Sequence, residues 1–222
     1  MELIYFIFDL QCLGLLISFI YSTRIMSSKI EPSYMRGFYW YSVVGIISTI
    51  PVFIEYNFLT VKFSPYILNL SLLFHFPFLS LFLRKVISPL NKTFQKYFWF
   101  IFLICMSLLI FLLFTNDLSK SINKAFAFAN FCLVIFCVFY FYSLFKNIPK
   151  LNLLLEPSFW VVTGIFICMS ISVPVSAVAD YLISTNQIQH FKYFYSLISV
   201  SYLSMHIFFI KSYLCCSLQQ RI

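Results

Sequence analysis

The stretch Tyr97–Phe114, YFWFIFLICMSLLIFLLF, decides the fold. It runs eighteen residues without a charge, and it is apolar on every side. A helix apolar all round is buried in a large core or in a membrane. A bilayer needs about 20 such residues to be crossed. Six further runs have the same character: Leu3–Ser22, Gly37–Tyr56, Pro65–Leu83, Ala125–Phe145, Ser158–Tyr181 and Tyr193–Leu214. The segments between them are short and carry turn or charge signals, such as Ser27–Ser33, Ser88-Pro89-Leu90-Asn91 and Asn147-Ile148-Pro149. The expectation is an all-α, polytopic membrane protein, one seven-helix transmembrane domain spanning residues 1–222.

The composition agrees. Of 222 residues 62% are hydrophobic and only 10% charged, and the mean hydropathy is +0.93. A soluble domain carries about a quarter charged residues, so water-soluble and nucleic-acid-binding classes are excluded. Four glycines and no Gly-rich loop argue against a phosphate cradle. Seven cysteines form no C-x-x-C pair, and five of them lie within apolar runs, where Cys acts as a small hydrophobe. The first run starts Met1-Glu2-Leu3, without a basic leader segment or a small-residue cleavage site, and is expected to stay as an uncleaved helix.

The net charge of +8 reads as a topology signal. With the N-terminus outside, the cytoplasmic segments hold eleven basic residues: Arg24, Lys29, Arg36, Arg84, Lys85, Lys92, Lys96, Lys146, Lys150, Lys211 and Arg221. The outer segments hold only Lys62, Lys120, Lys124 and Lys192. Cytoplasmic loops collect Lys and Arg, so the N-terminus is placed outside and the C-terminus in the cytoplasm. Trp40, Trp99 and Trp160 lie near span ends, where aromatic belts form.

Ionisable residues inside spans are costly and are functional candidates by default. Asp9 lies in the first run, between Phe8 and Leu10, and is expected to be buried and hydrogen-bonded. Glu55 and Asp180 fall at the outer ends of the second and sixth runs, and His75 and His206 near mid-depth in the third and seventh. These five are the ligand-binding candidates, expected to share one outward-facing, hydrated pocket. Asn69, Ser71, Asn130, Ser199 and Ser201 are expected to add hydrogen bonds. The structural alternatives are solvated helix ends for Glu55 and Asp180 and satisfied packing residues for the two histidines.

Other chemistries are less well supported. Two mid-membrane histidines match axial haem ligation, but no second pair accompanies them. No His or acid pair falls at metal-binding helical spacing, and Lys211 lies too close to the inner end to hold a retinal. No nucleophile motif is present. No cofactor is therefore expected. Pro51, Pro77 and Pro174 each permit a kink.

The runs also divide as three, one and three. The second run holds Phe38, Trp40, Gly45, Pro51 and Glu55-Tyr56, and the sixth holds Phe159-Trp160, Gly164, Pro174 and Asp180-Tyr181. The third and seventh each carry one mid-span His. This is the pattern of a parallel repeat, although Trp40 to Pro51 is 11 residues and Trp160 to Pro174 is 14.

Three stretches carry a family resemblance: Glu55-Tyr56 with Ser71–Ile87, then Leu155–Ile183 with its Glu156-Pro157-Ser158-Phe159-Trp160 opening and Gly164, then the seventh run with its short basic tail. In these the chain resembles a group of small seven-helix inner-membrane proteins of Bacteroidetes bacteria to which no activity is assigned. The resemblance implies a bacterial inner-membrane location and a link to sensor histidine kinases. Pro174 and the polar SISVPVSAVAD stretch depart from the pattern, and no site residues carry over.

The functional expectation is a sensory or signalling membrane protein. It takes a ligand from the outer side, with a cytoplasmic partner such as a histidine kinase at the basic Arg84–Lys96 segment. A small-solute transporter or channel is the alternative, then a structural membrane subunit. An enzyme acting on lipid is disfavoured, because acids and histidines occur only as scattered singles.

Overall fold

A computed structural model describes residues 2–27, 36–58, 64–117, 122–147 and 153–219. Among them are seven long helices: α1 (Glu2–Ser27), α2 (Arg36–Phe58), α3 (Ser64–Ile87), α4 (Lys92–Phe114), α5 (Asn123–Asn147), α6 (Pro157–Ser184) and α7 (Ile188–Gln219). Five of these, α3 to α7, are long and apolar enough to cross a membrane. In lipid every backbone polar group must be satisfied within the segment, and a helix does this unaided. The apolar runs therefore become helices, each extending somewhat beyond its uncharged stretch.

The ends of the helices are set by local chemistry. Asn91 caps α4, its side-chain oxygen accepting from the Phe94 backbone N–H at 3.0 Å. Its amide also donates to Ser143 Oγ on α5 at 3.0 Å. Pro157 occupies the first turn of α6, where a missing N–H costs nothing. Asn186 ends α6 with φ 61°, while the N–H groups of Gln187 and Asn186 donate to the carbonyls of Leu182 and Ile183. That pairing is a Schellman closure, and it turns the chain directly into α7. Pro77 and Pro174 sit inside α3 and α6.

Helix neighbours follow a simple order. α1 packs on α2, α2 on α3, α3 on α5, α5 on α6, α6 on α7, and α7 returns to α1. Six helices thus form a closed ring. α4 stands outside it, in the angle between α3 and α5. Its inward stripe is Phe94, Phe98, Cys105, Leu109 and Leu113, spaced at one helical face. Phe100, Leu103 and Phe111 on its other sides are all more than 60% exposed, as lipid-facing residues are.

Close helix approach is bought by small residues at three places. A Cβ on Gly164 would lie 2.9 Å from Phe208 Cβ and 3.3 Å from the Met205 carbonyl oxygen, so α6 and α7 touch there. Gly14 brings α1 within reach of Leu203 and His206 on α7, and Gly45 brings α2 against Leu15 on α1.

Candidate functional site

The ring encloses a cavity of about 310 Å³, within the range of small-molecule sites. Every ring helix lines it and α4 does not. The lining comes from the first half of α1, α3 and α5, the last half of α6, the N-terminal half and middle of α7, and the middle of α2. The cavity therefore occupies the half of the bundle where α1, α3, α5 and α7 begin. Pro65 and Asn123 mark its level at the helix ends. His75 lies ten residues further along α3, which is about 15 Å deeper.

Aromatic side chains form the floor. The His75 ring is 5.0 Å from Tyr41, Tyr41 is 6.0 Å from Phe209, and Phe209 is 5.9 Å from His206. Beneath this arc Phe38 meets Phe209 edge-on at 4.8 Å and Phe82 at 4.4 Å. Phe38 and Phe209 are each 1% exposed. These rings close the bundle toward its other end.

The two histidines differ in what holds them. His206 Nδ1 lies 3.3 Å from Ser18 Oγ, and the same hydroxyl is 3.5 Å from the His206 carbonyl oxygen, donating to it. His206 is thus anchored to α1. His75 Nε2 is buried and has no hydrogen-bond partner among the described residues. A buried ring nitrogen without a partner is costly, and this one belongs to a residue that lines the cavity. It is a donor or an acceptor according to the tautomer.

Of the five candidate residues, the structure brings His75 and His206 together at one cavity. Asp9 does not join them. The expected burial of Asp9 is not observed: it is exposed on α1. Gln11, two residues on, lines the cavity instead. Residues two apart in a helix point about 200° from each other, so Asp9 must face outward if Gln11 faces in. Asp180 is also exposed and outside the lining, its Oδ1 accepting from Asn123 Nδ2 at 2.7 Å. Asn123 does line the cavity, so Asp180 buttresses the rim rather than facing a ligand. The side chain of Glu55 lies outside the described residues.

Ser71, Asn130 and Ser199 line the cavity as expected, while Asn69 and Ser201 do not. Asn69 Oδ1 accepts from the Ile122 backbone N–H at 3.2 Å and holds the start of α5. Ser201 Oγ donates to the Ile198 carbonyl at 2.7 Å. Sequence reasoning missed Tyr41, Tyr195 and Tyr202, which pass for membrane aromatics, and the hydroxyls of Ser48, Ser172 and Ser176. The i, i+4 spacing of Ser172 and Ser176 within the polar SISVPVSAVAD stretch was the available signal.

The cavity offers hydroxyl, amide and imidazole groups between aromatic faces. Among the described residues no Asp, Glu, Lys or Arg lines it, and no three His, Cys, Asp or Glu cluster as metal ligands do. Such a site suits an uncharged molecule that makes several hydrogen bonds. Compared with protein-family models, curated proteins and solved structures, the chain finds no match.

Proposed function

We propose that the chain is a sensory membrane protein whose seven helices all span the bilayer. The N-terminus is outside and the C-terminus cytoplasmic, in a bacterial inner membrane. It takes a small, uncharged, hydrogen-bonding ligand from the outer side and couples to a cytoplasmic partner such as a histidine kinase. The observation that carries this reading is the cavity itself: six helices line it, and His75, Tyr41 and His206 line its deep end at mid-depth, with Phe209 packed behind Tyr41 and His206. A ligand touching six helices at once has differential contacts with any two arrangements of them, which is what a population shift requires. The eleven-to-four distribution of basic residues supports the orientation.

The ring order favours a second reading, transport. Rotating the ring by half a turn carries α1, α2 and α3 onto α5, α6 and α7 and leaves α4 as the connector. Parallel repeats in transporters are arranged this way. The glycine contacts speak against strict equivalence, because Gly45 meets α1 whereas Gly164 meets α7.

The test uses the full chain in nanodiscs, with thermal unfolding read against a panel of uncharged polyols, sugars and aromatic alcohols. Sensing predicts saturable stabilisation by one class, abolished by Ser176→Phe, which fills the cavity. It also predicts no flux of that compound into proteoliposomes. Flux that Ser176→Phe abolishes would replace sensing by transport. No stabilisation by any uncharged compound, with a charged one bound instead, would overturn the ligand class.

A further inference from the structure

The strongest unexplained feature outside the cavity is Arg84. It sits in the last turn of α3 and is half-buried. Its guanidinium carbon lies 4.6 Å from the centre of the Trp99 ring and 5.6 Å from that of Phe98, both on α4. Nε is buried and has no hydrogen-bond partner among the described residues, and no carboxylate of those residues pairs with it. A cation held against aromatic faces gains some stabilisation from the rings. The rings do not satisfy its Nε–H donor, and an incompletely paired guanidinium in a low-dielectric setting needs an anion.

The surroundings say which anion. Lys92, Lys96 and Trp99 are spaced by four and three residues, so they form one stripe along α4. All three are exposed, and Lys96 Nζ is 5.4 Å from the centre of the Tyr97 ring. Lys85 is exposed beside Arg84. Below Trp99, away from the hairpin, the outer side of α4 exposes Phe100, Leu103 and Phe111, and the one exposed polar residue among them, Ser107, turns its hydroxyl back onto the Leu103 carbonyl at 2.6 Å. Positive charge thus stands at one end of a long, lipid-exposed apolar face. This is the polarity of a phospholipid: an anionic head above two acyl chains.

We propose that the α3–α4 hairpin is a binding site for an anionic phospholipid. The phosphate is held by the Arg84 fork and Lys96, with Lys92 and Lys85 adding charge, and the acyl chains lie along α4. Arg binds phosphate through paired N–H donors, and basic residues at the membrane surface recognise anionic headgroups. The site explains why the helix left outside the ring is the one with the basic stripe. It is independent of any ligand in the cavity.

The experiment is native mass spectrometry of the full chain released from micelles doped with equal phosphatidylglycerol and phosphatidylcholine. The expected result is retention of phosphatidylglycerol over phosphatidylcholine. Lys92→Gln/Lys96→Gln, on exposed positions that leave packing alone, should lower that retention about fivefold or more. Arg84→Gln should lower it further, and Arg84→Lys should restore it only partly, because an ammonium lacks the fork. Lys146→Gln and Lys211→Gln are controls at exposed positions outside this hairpin and should change nothing. Equal retention of both lipids would overturn the site. So would loss in the controls as large as in the hairpin variants, since that is general surface charge. Displacement of the lipid by millimolar inorganic phosphate would make free phosphate the ligand and overturn the lipid assignment. If Arg84→Gln fails to fold, the exposed double variant still decides.

Discussion

His206 and Ser18 fasten α7 to α1: Nδ1 and Oγ are 3.3 Å apart, and the hydroxyl reaches the His206 carbonyl oxygen at 3.5 Å. Ser18 is 0% exposed, so removing its hydroxyl leaves a buried imidazole nitrogen unpaired. Interhelical hydrogen bonds in membranes are worth about 0.6 kcal/mol on average and up to about 1.7. Ser18→Ala should therefore cost about 1 kcal/mol in a denaturant titration of the detergent-solubilised protein. Its effect in a His206→Ala background should be markedly smaller. Additivity of the two substitutions would show that the pair is not coupled.

The glycines separate two kinds of close contact. At Gly164 the obstacles to a methyl group are Phe208 Cβ at 2.9 Å and the Met205 carbonyl oxygen at 3.3 Å, neither of which can rotate away. Gly164→Ala should force α6 from α7 and cost about 1–3 kcal/mol, as overpacking does. At Gly45 the obstacle is Leu15 Cδ1 at 3.1 Å, the far end of a flexible side chain. Gly45→Ala should lower the thermal midpoint much less. Equal losses would mean that α1 and α2 are as tightly fixed as α6 and α7.

The sequence showed the helices plainly because lipid demands long apolar runs with no polar interruption. It did not show which face of each helix looks inward. Lipid and protein interior are equally apolar, so Phe100 facing lipid and Phe98 facing α3 read alike. The position of α4 was hidden for the same reason, although its extreme apolarity follows from having lipid on most sides. His75 and His206 were legible as a pair because a mid-span imidazole has few places to go but the bundle interior. Asp9 and Asp180 misled, since rarity of charge in a span marks a residue without giving its angle. Asp9 and Gln11 are two residues apart, and only the less conspicuous one faces the cavity. Tyr41 and Tyr202 were invisible among fifteen tyrosines.

The depth and orientation of the cavity can be read by thiol labelling. Among the described cysteines all but Cys12 are buried, which gives a quiet background once Cys12 is replaced by Ser. Asn123→Cys at the rim should react quickly with a membrane-impermeant reagent added outside intact cells. Ser199→Cys, deeper in the cavity, should react more slowly, and Phe38→Cys, beneath the aromatic floor, should not react. Reaction of Asn123→Cys only from the cytoplasmic side of inverted vesicles would reverse the proposed orientation while leaving the cavity intact.

Asn91 is placed to lock the outlying helix to the ring, and its two bonds can be separated. The side-chain oxygen accepts from Phe94 N–H, and the amide donates to Ser143 Oγ, whose own proton goes to the Phe139 carbonyl at 2.7 Å. Asn91→Ala removes both bonds, and loss of the cap alone costs about 1 kcal/mol. Asn91→Asp keeps the cap, and its charge suits the positive end of the α4 dipole. It loses the bond to Ser143, because that hydroxyl proton is already used. Ser143→Ala also loses only the link to α5. The expected order of destabilisation is therefore Asn91→Ala first, with Asn91→Asp and Ser143→Ala similar and smaller. Hydrogen exchange should resolve the two effects. The Phe94 amide should exchange faster in Asn91→Ala alone, whereas α4 as a whole should loosen in all three. If Asn91→Asp speeds exchange at Phe94 as much as Asn91→Ala does, the side-chain cap is not what protects that amide.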